Sequence, residues 1–101
     1  YGHRDRLRQR FLQDNGADLA DYELLELYLF MAIPRRDIKP LAKTLIARFG
    51  NFAGVITAPV ADLLAVDGVS EASAVALKSV AAAAQRLARQ TAMARPVLDH
   101  W

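Results

Sequence analysis

Apolar residues recur at helical spacing along most of this chain, and the breaks fall at glycine and proline. Leu7, Phe11 and Leu12, set between arginines, predict a first helix over 3–14 that Asn15-Gly16 stops. Its outward face carries Arg4, Arg6, Arg8 and Arg10, which with Asp5 read as a salt-bridged surface. A second helix starts near Asp21, where Asp21 and Glu23 put negative charge at the positive end of the helix dipole. Ala20 offers no capping oxygen, so Asp18 or Asp21 has to cap it. Leu24, Leu25, Tyr28, Leu29 and Met31 make this helix apolar almost all round, the mark of a central element, and Pro34 ends it. Asp37 is positioned to cap a third helix that tolerates Pro40 in its first turn, buries Ile38, Leu41, Leu45 and Phe49, and closes at Gly50.

A short apolar turn from Phe52 to Ile56 then leads to Pro59, at the first position of a helix reaching about Leu64. The last helix opens at Ser70 and runs through alanine-rich sequence to about Arg89, with a small-residue face of Ala74, Leu77, Ala81, Ala84 and Ala88. No β-strand is required. The pattern predicts an all-α bundle of five or six helices over 1–95, with 96–101 as the start of a linker. A faint repeat at a spacing of 32 residues sets Ala42 on Ala74 and Leu45 on Leu77, so the chain reads as two helix-hairpin-helix units, the first degenerate.

The second unit carries the clearest chemistry. Between Asp62 and Leu77 a short helix, a turn centred on Gly68 and a second helix form a helix-hairpin-helix pattern. Such a turn runs into a helix start and leaves backbone N–H groups facing outward, where an anionic oxygen can accept them. Gly68 supplies positive φ and close approach. The candidate donors are the amides of Val69, Ser70, Glu71 and Ala72, with Lys78 as a charge partner farther along the helix. Ser70 stands where such hairpins usually have a second glycine, and its hydroxyl can cap the helix instead. Asp67 and Glu71 fall inside the same footprint and oppose a phosphate. A plain connecting turn is the alternative.

Charge adds a second candidate. The net charge is only +2, but 33–54 holds Arg35, Arg36, Lys39, Lys43 and Arg48 against Asp37 alone. Arg35, Arg36, Lys39 and Lys43 form a basic patch suited to DNA phosphates, or otherwise a solvated helix end. The hairpin stretch 55–84 is net acidic, so tertiary structure has to bring patch and hairpin together. Tyr22, Tyr28, Phe30, Phe49 and Phe52 share helical spacing with leucines and read as core rather than as base-stacking platforms.

Several functions are disfavoured. With no cysteine, neither a disulfide framework nor a thiolate metal site is possible, which fits a cytoplasmic chain. The longest strictly apolar run, Leu27–Ile33, falls well short of the roughly 20 residues a bilayer span needs, so no membrane partner is expected. No serine or threonine has a nearby histidine, no glycine-rich nucleotide loop occurs, and Glu23 with Glu26 has the spacing of an ordinary helix surface. No catalytic residue, metal or cofactor is expected.

Four blocks taken in order, Gly2-His-Arg-Asp-Arg-Leu-Arg-Gln-Arg-Phe11, Asp21-Tyr-Glu-Leu-Leu-Glu-Leu27, Pro34-Arg-Arg-Asp-Ile-Lys-Pro-Leu-Ala42 and Arg48-Phe-Gly-Asn-Phe52, resemble the N-terminal region of bacterial RadC-type proteins. The hairpin over Val66–Leu77 sits where that family has its own. The resemblance implies a DNA repair association and, in the longer protein, a C-terminal JAB/MPN-type domain with a zinc motif of two histidines and an aspartate. That motif does not occur here; His3 and His100 lie at opposite ends of the chain. The expected function is therefore sequence-independent binding of duplex or branched DNA by a non-catalytic module. The alternative is a protein-interaction or dimerisation module, self-associating through the alanine-rich last helix and positioning the metallo-domain.

Overall fold

Three left-handed turns divide the chain where the sequence places breaks: Asn15 and Gly16 at φ 56° and 86°, Gly50 at 99° and Gly68 at 95°. Glycine reaches this region without the Cβ clash that costs other residues about 1–2 kcal/mol. In the computed structural model, which describes residues 2–34 and 36–94, the helices are α1 (Gly2–Asp14), α2 (Asp21–Ala32), α3 (Lys39–Phe49), α4 (Phe52–Thr57), α5 (Val60–Leu64) and α6 (Glu71–Ala94). No strand occurs among the described residues. The all-α expectation holds. The expected linker, 96–101, lies outside the described residues.

Helix α2 is central, packing against α1, α3, α4 and α6. Leu25 and Leu29 are fully buried on it and meet Leu7, Ile38, Leu45, Val55, Leu63 and Leu77 in one core. Met31, expected inside, is 74% exposed, because it falls between the helix faces that carry Leu25, Leu29 and Phe30. The stretch read as a short turn is helix α4; six residues are too few to display a period, and Asn51 starts the helix by accepting the Gly54 N–H at 2.8 Å. Asp21 does not cap its own helix. Its Oδ2 accepts the Phe52 N–H at 2.9 Å and so ties the start of α4 to α2. At Ala20 the N–H donates instead to Glu23, half of a capping box. Pro59 precedes rather than opens α5, taking the N-cap position.

On α6 only the first half of the small-residue face is used. Ala74, Leu77 and Ala81 are buried, whereas every residue from 82 to 94 is exposed, Ala84 and Ala88 included. The helix runs past the bundle because no other described element is long enough to follow it.

The arginine face of α1 is salt-bridged in part, as expected. Arg8 pairs with Asp5, and Arg10 grips Glu23 through both guanidinium nitrogens. The hydrogen bond and charge of Arg10 hold the Glu23 carboxyl below its ordinary 4.5. A depressed folded pKa stabilises above the unfolded value and is lost as pH falls through the folded one. Stability is accordingly expected to decline on acidification below pH 4.5, with a shallower slope in Glu23→Gln, as measured by urea unfolding across that range.

Candidate nucleic-acid interface

The hairpin forms as a tight turn between α5 and α6. Val69 N–H donates to Val66 O at 3.1 Å, and Val69 itself is buried. Its amide is therefore spent inside the turn, which removes Val69 from the expected donors. Ser70 takes the N-cap position: its Oγ accepts the Ser73 N–H at 3.2 Å and shares a 3.0 Å hydrogen bond with the buried Ser73 hydroxyl. The serine thus replaces a flexible glycine with a side-chain cap. The N–H groups of Ser70, Glu71 and Ala72 have no acceptor among the described residues, and all three residues are exposed. They are the first orphan donors of a 24-residue helix, at its positive end.

The basic patch does not arrive as one unit. Arg36 reaches the hairpin, its Nη2 donating to Gly68 O at 3.0 Å across 32 residues of sequence. That is the spacing of the internal repeat, so the turn of the first unit touches the turn of the second. Gly68 makes room for it: a Cβ there would lie 3.3 Å from Arg36 Nη2. Lys39 and Lys43 turn instead toward α2, where their ammonium groups lie 6.0 and 5.0 Å from the centre of the Tyr22 ring. Neither ammonium reaches the hairpin. Arg35 lies outside the described residues. Asp67 and Asp37 line the same depression as Arg36 and Gly68, so the cation is offset in part by acids.

Lys78 has a structural task. Its Nζ donates to Ile56 O at 3.1 Å and to Ala58 O at 2.8 Å, closing the carbonyl end of α4 with a positive charge. It is not free to meet a phosphate beside the hairpin. Lys78→Met is expected to cost about 1.5–3 kcal/mol of stability, the worth of hydrogen bonds to a charged group. Urea unfolding of the variant beside the unaltered chain reads that loss.

Arg4 and Glu26 also take places that their sequence spacing does not suggest. Arg4, read as one of four surface arginines, lays its guanidinium 4.3 Å from the Phe30 ring centre and donates from Nη2 to Ile33 O at 3.0 Å and Arg36 O at 2.8 Å. It pins the α2–α3 connection and so helps place Arg36. Glu26, read as surface, is fully buried; its Oε2 meets His3 Nε2 at 3.0 Å while Oε1 has no partner. Neither partner is closer than 23 residues in sequence, so no local spacing signals these contacts. The aromatic residues behave as core: Phe30 is buried, Tyr22, Tyr28, Phe49 and Phe52 are half-buried, and the Tyr28 and Phe52 rings pack at 6.3 Å. Among the described residues no three His, Asp or Glu side chains gather as a metal site, and no helix is long and apolar enough to cross a membrane.

Comparison with known proteins identifies relatives of this arrangement. The chain is 52% identical over 99 residues to a UPF0758 protein of Ruegeria pomeroyi, covering 98% of this chain and 44% of the relative. It is 55% identical over 95 residues to a UPF0758 protein of Rhodobacter capsulatus, covering 94% of this chain and 44% of that protein. No family model and no solved structure matches it. The chain therefore spans under half the length of the relatives it matches, and over nearly all of its own length it is closely similar to UPF0758 proteins.

Proposed function

We propose that this chain is a non-catalytic module that grips the DNA backbone without reading sequence. The observation that carries the proposal is the Arg36–Gly68 contact, which sets a guanidinium at the turn that leads into the unpaired amides of Ser70, Glu71 and Ala72. Backbone amides and a fixed arginine are the donors that position a protein on phosphates, and neither distinguishes bases. Of Arg36, only Nη2 is engaged at the turn; a guanidinium has five N–H donors, so several remain for a phosphate. The acids Asp67 and Glu71 keep this grip weak. Within a longer RadC-type protein the module would associate with DNA repair and hold a C-terminal JAB/MPN metallo-domain near its target.

Anisotropy with short duplex, branched and single-stranded DNA at low and moderate salt tests this. Engagement of about three phosphates gives a log–log salt slope near −3 for duplex DNA. Arg36→Gln is expected to weaken binding equally for all sequences and to make the slope shallower by about 1. Absence of binding on the order of tens of micromolar at low salt ends the proposal, since non-specific complexes normally form below that range under those conditions.

A second reading, a dimerisation or protein-interaction module, is favoured by the exposed run of α6. Leu87 and Met93 are 68% and 77% exposed there, and Val75 at 62% flanks a groove with Val60 and Leu64. Light scattering separates the two: a stable dimer that covers Arg36 and Gly68 supports the second, a monomer that binds DNA supports the first.

A further inference from the structure

A cavity of about 690 Å³ opens between the start of α1 and the α2–α3 connection, walled by His3, Arg4, Arg36 and Lys39 over Phe30, with Asp37 at its side. Three of these side chains are cationic and none of the three forms an ion pair among the described residues; the Lys39 side chain borders the cavity while its ammonium lies 6.0 Å from the Tyr22 ring centre. Arg4 is already held in place by Ile33 O and Arg36 O through Nη2, which leaves its Nε and Nη1 donors uncommitted. The Asp37 carboxylate accepts the Lys39 backbone N–H at 3.1 Å, so part of its charge is engaged locally. Donors fixed before a ligand arrives lose little entropy on binding it. The wall is built for an anion.

Arg36 belongs both to this cavity and to the depression that contains Gly68 and Ser70. A strand lying on the hairpin is thus led toward the cavity. Phosphodiesters within a duplex sit on a convex surface with a single charge each, and a concave site of this size does not receive them. A terminal phosphomonoester protrudes, carries about −1.5 to −2 charge at neutral pH and offers three oxygens to Arg and Lys donors. We infer that the cavity formed by Arg4, Arg36 and Lys39 receives the terminal phosphate of a DNA strand, so that the module prefers phosphorylated ends to duplex interiors. This rests on the backbone-gripping reading above and shares Arg36 with it, whereas His3, Arg4 and Lys39 belong to the cavity and not to the hairpin.

The test titrates the ¹⁵N-labelled chain with a short blunt duplex bearing 5′-phosphates and with the same duplex ending in hydroxyls. Amides of Ser70, Glu71 and Ala72 report the hairpin; those of His3 and Lys39 report the cavity. The expected result is that both duplexes shift the hairpin amides, that only the phosphorylated one shifts the cavity amides, and that it binds about fivefold more tightly, the scale of one extra partly screened ion pair. Lys39→Gln, whose ammonium has no hydrogen-bond partner among the described residues, is expected to erase that preference and leave hydroxyl-ended binding unchanged. Equal response of the cavity amides to both duplexes overturns the inference while the hairpin reading survives; hairpin amides that stay silent with both duplexes overturn the hairpin reading and the inference with it. Thymidine 5′-monophosphate competing as tightly as the duplex end also overturns it, because the cavity would then serve small phosphomonoesters.

Discussion

Gly54→Ala is expected to lower the melting temperature by about 15 °C, the equivalent of about 3 kcal/mol in a domain of this size. Gly54 lies in the first turn of α4, where the chain doubles back from α3 through Gly50 and Asn51. A Cβ at this position would lie 2.0 Å from Phe49 O and 3.1 Å from Phe49 C. Both are backbone atoms at the end of α3, so no side-chain rotation relieves the overlap. Either the Asn51 cap opens or α4 moves off α3, and Val55 and Ile56 leave the core with it. Gly50→Ala is the control. Its Cβ would meet nothing within 4 Å, yet φ is 99°, so its cost is conformational alone, about 1–2 kcal/mol. Thermal unfolding followed by circular dichroism is expected to rank Gly54→Ala well below Gly50→Ala; the reverse order would show that α4 docks less tightly than described.

Replacing His3 with alanine is expected to cost about 2 kcal/mol, and most of that loss should vanish when Glu26 is replaced by leucine in the same chain. Glu26 is fully buried on α2, and His3 supplies its one hydrogen bond among the described residues. Removing one member of a buried pair leaves a carboxylate without compensation, which costs about 3–5 kcal/mol in a sealed interior. Here the histidine side chain is 41% exposed, so the space it vacates admits water and reduces the cost. An apolar side chain of similar volume at position 26 removes the need for a partner. Urea unfolding of the two single variants and the double variant closes the cycle. If His3→Ala is equally destabilising with Glu26 or Leu at that position, the contact contributes packing only and the charge argument fails.

Glu23 and Glu26 show where sequence legibility ends. Both lie on one helix, three residues apart, in similar local sequence, and both read as surface. One grips Arg10 at the rim of the bundle and the other is enclosed beneath His3. The difference is set by where α1 crosses α2, which neither segment encodes by itself. The same holds for the cations. Arg36, Lys39, Lys43 and Lys78 form one class by composition, yet Arg36 binds Gly68, Lys39 and Lys43 both lie toward the Tyr22 ring, and Lys78 binds the carbonyl end of α4. The hairpin was more legible: Gly68 takes the positive φ its turn needs and Ser70 caps the helix as its hydroxyl permits, although the Val69 amide is consumed by the turn.

By itself, then, the order of residues determined every described helix but α4, the breaks at Asn15, Gly50 and Gly68, and the leucine stripe of the core. Those features follow from interactions within one turn of backbone, where spacing and φ preference act directly. Which charges are free, which are spent on carbonyls and which are buried was decided only when partners 13 to 32 residues apart met. Electrostatic and hydrogen-bond energies depend on distance in space and on exposure to water, and neither quantity exists until the helices have packed.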